Sequence, residues 1–248
     1  MKKSLALLPW VLFTTLLAGC GSDQSPFTEG NGASIGTNIP ADRNFQIAFD
    51  EPNPAIVDSS TGGIDLSQVV EVTITASDRL KLPTVGATAY LEADWGTLSA
   101  TSCTIGSNGS CTITWYGNGS IDDPYFPTSG AAPHGGDGLV AFTAWILGEE
   151  AFDDLNDNGY FDDFDFFDTN DKDNTTNPGY DVAGPYLDRD HNLTYTPSID
   201  QILLPGNNLN QRLAADNKYN GANCTHSTLC GSTTQIYISS RSFLYIIK

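Results

Sequence analysis

The chain has 248 residues, with 30 acidic side chains against 11 lysines and arginines and a formal charge of −19. A surface this negative repels nucleic acid and anionic membranes and draws divalent cations, which excludes a nucleic-acid-binding protein. The length accommodates one or two domains.

The first residues have the make-up of an export leader. Lys2 and Lys3 precede an apolar run, Leu5 to Leu17, that is too short to span a bilayer comfortably. Leu17-Ala18-Gly19-Cys20 resembles the bacterial lipobox. The resemblance implies that residues 1–20 are a lipoprotein signal peptide and that Cys20 is acylated to become the new N-terminus. The membrane is then a partner reached through the lipid at Cys20. Gly21, rather than Asp, follows the cysteine, which in enteric bacteria implies passage to the outer membrane; the sequence leaves open which face. Residues 21–42 are rich in Gly, Ser, Asn and Pro, without periodicity, and read as a flexible tether. Export also places the remaining cysteines in an oxidising compartment, where an even count suggests disulfides. Three pairings exist, and the local one, Cys103–Cys111 with Cys224–Cys230, is the simplest. Neither pair has the C-x-x-C spacing of a metal site.

From Phe45 onward the pattern is that of short strands. Phe45, Ile47 and Phe49 alternate with polar or small residues, and Val69 to Ala76 is β-branched and alternating. Ala87–Leu91, Gly96–Ser99, Cys111–Trp115 and Leu139–Ile146 continue the series, separated by Gly, Asn, Asp and Pro. Such spacing argues for an all-β sandwich spanning 43–248. No stretch carries sustained helical periodicity, though Leu209 to Ala215 has room for a turn or two. Trp95, Trp115 and Trp145 read as core or strand-edge aromatics. The Pro/Gly-rich loop 117–137, flanked by Tyr116 and containing Tyr125 and Phe126, is either a binding surface or a long decorated turn.

The stretch Ala93 to Trp115, with its G-x-L-S turn at Gly96–Ser99 and its Asn108-Gly109 entry into a strand, resembles bacterial Ig-like domains of the invasin/intimin type. The resemblance covers about Phe45 to Ile146 and a final strand. It implies an Ig-like β-sandwich and says little about function. Such a sandwich needs a last strand beside 139–146, and the β-forming stretch Gln235 to Ile247 supplies it. The acidic segment 149–205 then becomes an insertion before the last strand.

That insertion holds half of the acidic residues, against only Lys172 and Arg189. It also carries Phe152, Phe161, Phe164, Phe166 and Phe167, a density that speaks against a disordered acidic tract. Asp154 to Asp165 sets oxygen ligands at regular intervals. Asp154, Asn156 and Asn158 fill positions 1, 3 and 5, and Gly159 takes the bend. Tyr160 offers a carbonyl, and Asp162 and Asp165 fill positions 9 and 12. Calcium is a hard cation taking six to eight oxygens, so this pattern suits Ca2+ better than the smaller, more hydrated Mg2+. The spacing resembles EF-hand, dockerin and thrombospondin type-3 loops. With no flanking helices and no visible near-copy, the resemblance implies an irregular, calcium-wrapped array of the type-3 kind, without its cysteines. Asp168-x-Asn170-x-Lys172 fails at position 5, where a cation stands, which leaves Asp171, Asp173 and Asp181 for a looser arrangement. Asp188, Asp190 and Asn192 suit positions 1, 3 and 5 of another, but Leu193 replaces the glycine, Ile199 stands at position 12, and Asp200 comes one residue late. His191, between two ligands, is expected to point outward. Calcium is expected to order the insertion and turn its phenylalanines inward.

His134, His191 and His226 form no H-E-x-x-H, and neither a G-x-S-x-G nor a P-loop is present, so the chain reads as non-enzymatic. The expectation is a surface-tethered, calcium-binding lipoprotein of the cell envelope with a structural, adhesive or assembly role. Its partner would be another envelope or surface protein or a glycan. The alternative is a calcium-dependent carbohydrate-binding module or hydrolase accessory domain.

Overall fold

The computed structural model of the protein describes residues 36–55, 68–118, 138–204 and 213–246. Cys20, the leader, the tether up to residue 35, most of the 117–137 loop and most of the expected turn at 209–215 lie outside these residues.

The described chain is all-β. Its strands are β1 (Phe45–Phe49), β2 (Val69–Ala76), β3 (Thr88–Ala93), β4 (Thr97–Leu98), β5 (Ser102–Thr104), β6 (Ser110–Tyr116), β7 (Leu139–Gly148), β8 (Tyr186–Leu187), β9 (Gln201–Ile202) and β10 (Ile236–Tyr245). Two four-stranded sheets, ordered β1-β2-β6-β4 and β10-β7-β3-β5, form a sandwich, and β8 pairs with β9 apart from them. Every ladder is antiparallel. β2 shows why the sheets form: Val70, Val72, Ile74 and Ala76 are buried while Glu71 and Thr75 face water. The period-2 alternation of a half-buried strand thus sets its register.

Trp115 fills the centre of the sandwich and is fully buried. Its Nε1 donates to Trp95 O at 2.8 Å, and its indole lies edge-on to Phe142. The turn leading into β4 makes room for it. Gly96 has φ +80°, and a Cβ there would meet the indole at 2.4 Å, so no other residue suits this position.

β7 departs from simple alternation, because from Val140 to Ile146 every residue is buried. Its inner face enters the sandwich core. Its outer face is covered by the insertion, where Ala141 and Trp145 pack with Leu187 and Leu203. Buried Thr143 is satisfied by donating from Oγ1 to Tyr186 O at 2.9 Å. β10 runs back along β7 from Ile236↔Gly148 to Tyr245↔Leu139. Described residues beyond 212 also pack with the insertion. Tyr219, Cys224 and Leu229 join Phe161 and Phe167 in a satellite core. Phe161 and Phe167 are buried as expected, but Phe164 is 77% and Phe166 51% exposed. Phe164 lies in the tight turn where Asp165 N donates to Asp162 O, and this turn leaves its ring outside.

Cys103–Cys111 and Cys224–Cys230 are disulfide-bonded. The first joins β5 to β6, and the second closes the turn beside the satellite core. Replacing Cys224 and Cys230 by serine should cost about 2–3 kcal/mol in a urea melt. An unchanged midpoint would mean that the turn holds itself.

Candidate metal centre

Two loops of the insertion share one hydrogen-bonding scheme. In the first, Asp154 accepts from Asn158 N (3.1 Å) and Gly159 N (2.8 Å), and Asn158 Oδ1 accepts from Tyr160 N (2.7 Å). Asp165 closes the ring by accepting from Leu155 N and Asp162 N, both at 2.9 Å. In the second, Asp188 accepts from Asn192 N (3.2 Å) and Leu193 N (2.7 Å), and Asn192 Oδ1 accepts from Thr194 N (2.7 Å). Asp200 accepts from Arg189 N (2.8 Å) and Thr196 N (2.6 Å). The left-handed residues also correspond: Asp157 and Gly159 at φ 55° and 74°, His191 and Leu193 at φ 57° and 66°.

The sequence expectation for the second loop is therefore corrected at its closing position. Asp200 does the work of Asp165, and Ile199 is 44% exposed. The additional residue is absorbed before Asp200, where Ser198 adopts φ 78°. Leu193 takes the glycine's conformation at a strain of roughly 1–2 kcal/mol. The correspondence extends to an aromatic pair in each loop, one ring two residues before the first ligand and one at position 8: Phe152–Phe161, with ring centroids 5.2 Å apart, and Tyr186–Tyr195, 5.4 Å apart. A near-copy of the first loop thus exists, disguised by a Gly-to-Leu change, Phe-to-Tyr changes and one inserted residue.

The donor sets are all oxygen, which suits a hard cation. Besides the amides and carbonyls, Asp154, Asp162 and Asp165 belong to the first set and Asp188, Asp190 and Asp200 to the second. In the second, the three carboxylates each place an oxygen within 4.8 Å of the others. Asp190 Oδ1 is buried there without a hydrogen-bond partner. Burial above all, helped by neighbouring carboxylates, pushes Asp188 and Asp200 up from the usual carboxylate value, against the pull of backbone N–H donors. In the first loop the side-chain amides of Asn156 and Asn158 donate to Asp162, Asn158 at 2.7 Å. Asp162 sits below its ordinary value, chiefly because Phe164 N donates to it.

His191 does not point outward. Its side chain is 2% exposed, with Nε2 2.9 Å from Asp94 Oδ2 and its ring edge-on to Phe243. The second loop lies against the β10-β7-β3-β5 sheet, so its fourth position is turned into protein, whereas Asp157 at the same position of the first loop is exposed. The failed loop at 168–172 uses the protein's own cations. Lys172 Nζ contacts Asp42 Oδ1 (2.5 Å) and Ser239 O (2.8 Å), and Arg241 pairs with Asp173.

The root of the insertion was not legible as a site. Arg79, in the β2–β3 connection, grips Glu149 with Nε (2.9 Å) and Nη2 and also donates to Tyr219 OH (2.9 Å), Ala222 O (3.0 Å) and Gly159 O (3.0 Å). Glu150 is buried, accepting from Val182 N (2.6 Å) and Asn220 N (2.5 Å). Fully buried Asp181 adjoins it and accepts from Asp216 N and Asn217 N. Burial first, then the nearby Asp181 and Asp216 charges, pushes Glu150 up to about 9. The Glu-Glu pair ending an apolar strand was the available signal. Comparison with protein-family models, with curated proteins and with solved structures finds no match, so the chemistry of the site rests on these residues.

Proposed function

We propose that this chain is a calcium-binding lipoprotein of the cell envelope, anchored through Cys20, whose insertion is ordered by Ca2+ for a structural, adhesive or assembly role. The observation that carries the reading is the scheme shared by two loops, each with an opening carboxylate on positions 5 and 6 and a closing carboxylate across the ring. Asp154, Asn156, Asn158, the Tyr160 carbonyl, Asp162 and Asp165 would hold one ion. Asp188, Asp190, Asn192 and Asp200 would hold another. The ion supplies charge neutralisation and a fixed geometry, and no bond-breaking step is assigned to it. The strand orders support an Ig-like arrangement, since that fold sets its first, second and fifth strands against its third, sixth and seventh. No helix among the described residues is long and apolar enough to cross a membrane, so the membrane partnership rests on the Cys20 lipid.

The test compares the purified full chain in EDTA and in millimolar calcium by near-UV circular dichroism, protease sensitivity and thermal midpoint. Calcium at tenfold excess over Kd should add about 1.4 kcal/mol per site and protect the insertion from cleavage. No change in any of the three would overturn the reading.

One observation favours the carbohydrate-binding alternative. A groove of about 460 Å³ on the outer sheet face is lined by Tyr90, Tyr237, Leu147, Val85, Asn38 and Gln235, with no charged side chain among its lining residues. In so acidic a chain, an aromatic and amide lining suits a neutral sugar. A glycan array with and without calcium separates the two readings.

A further inference from the structure

The two loops are alike in scheme but not in setting. Both offer three carboxylates, so ligand charge does not rank them, and the remaining lever on calcium affinity is the rigidity of the empty ring.

The second loop is held from outside. Leu187, just before its first ligand, is buried in the cluster on the sheet face with Trp145 and Leu203. Tyr186 O receives the Thr143 hydroxyl hydrogen bond. His191, inside the ring, is packed between Asp94 and Phe243. With its frame fixed, the loop already gathers Asp188, Asp190 and Asp200; Asn192 Nδ2 donates to Asp190 Oδ2 at 2.9 Å, and Asp190 Oδ1 is buried without a hydrogen-bond partner.

The first loop is held behind its ligands, at Gly159 O by Arg79 and at the buried Phe161 ring. Residues 155–158 are exposed. Both oxygens of Asp162 are engaged, by the amides of Asn156 and Asn158 and by Phe164 N, whereas the Asn192 amide takes only one oxygen of Asp190, so more must turn away here before the ligand oxygens face one ion. Asp157 and Asp163 add negative charge nearby and Arg189 subtracts it from the second loop. Both extra aspartates are exposed, however, so water and salt screen them.

We propose, resting on the calcium reading above, that the loops are a graded pair of divalent-cation sites. The ring of Asp188, Asp190, Asn192 and Asp200 fills first and fastens the insertion to the sheet. The ring of Asp154 to Asp165 fills only at higher calcium and stiffens the exposed end.

Calorimetric titration of calcium into the EDTA-stripped full chain tests the ranking. Two binding events should appear, their dissociation constants separated by at least about tenfold, as rigidity sets them. Asp190→Asn should remove the tighter event and leave the weaker, and Asp162→Asn should do the reverse. An unchanged thermal midpoint in EDTA certifies that each variant is folded. If Asp190→Asn fails that check, Asn192→Ala replaces it with the same expectation. Equal affinities, or loss of the weaker event on substitution in the second loop, would overturn the ranking while leaving calcium binding intact. No calcium bound at either loop would overturn both.

Discussion

Replacing Arg79 by methionine should lower the unfolding free energy by about 3–5 kcal/mol, the cost of leaving a buried charge without its partner. Glu149 is 1% exposed and would be that charge. Methionine preserves much of the volume, so the loss reports the ion pair and its hydrogen bonds more than a cavity. The same guanidinium fixes Tyr219 OH, Ala222 O and Gly159 O, and these three points join the first loop and the disulfide-closed turn to the sandwich. The variant should therefore also become cleavable between residues 154 and 165 at protease levels that leave the parent intact. Substituting Glu149 by leucine in the same chain should recover part of the stability, because an apolar pair carries no unpaired charge. A loss under about 1 kcal/mol for the single variant would show that solvent reaches Glu149.

Stability in EDTA should fall as pH rises, by about 1.4 kcal/mol per unit between roughly pH 5.5 and 8.5. Glu150 has an ordinary value of 4.5 and is pushed up to about 9 in the fold. In that window the native chain holds a proton that the unfolded chain has released. The contribution is full below the unfolded value and is lost as pH climbs through the folded one. Asp181, Asp188 and Asp200 are shifted in the same direction, each chiefly by burial. Asp162 and Asp163 are shifted downward and have released their protons below this range, while Tyr219, raised by burial, keeps its proton throughout it. Urea melts across the pH range give the slope. Glu150→Ala should be less stable overall, since Val182 N and Asn220 N lose their acceptor, but its slope should be visibly flatter. A parent whose stability is flat or rises over this range would contradict the proton assignment.

The sandwich was legible because half-buried strands carry a period of two and their turns carry Gly, Asn and Pro. Val69–Ala76 and Leu139–Ile146 fall where the alternation and the apolar run put them. The pairing of the last strand with β7 followed from what a sandwich requires. The insertion resisted because such loops are specified by backbone conformation, and conformation tolerates exchanges that spacing rules do not. Leu193 occupies a glycine's region, and Ser198 absorbs a residue by turning left-handed. A search for D-x-[DN]-x-N-G with fixed closure rejects the second loop at both points. Tyr186 and Tyr195, at the same offsets as Phe152 and Phe161, were the readable trace of the repeat. His191 was misplaced because the fourth position of an isolated loop faces water, and only the docked sheet turns it inward. The Arg79 and Glu150 contacts join residues as much as 143 positions apart, and no local pattern announces them.

Counting bound ions is the most direct test of the proposal that calcium holds the acidic insertion together. Equilibrium dialysis of the purified full chain at millimolar calcium, with magnesium present as competitor, should give two calcium ions per chain. The double variant Asp154→Asn with Asp188→Asn, which neutralises the opening ligand of each loop, should give none. A parent that binds no calcium, or a double variant that binds as much as the parent, would contradict the account.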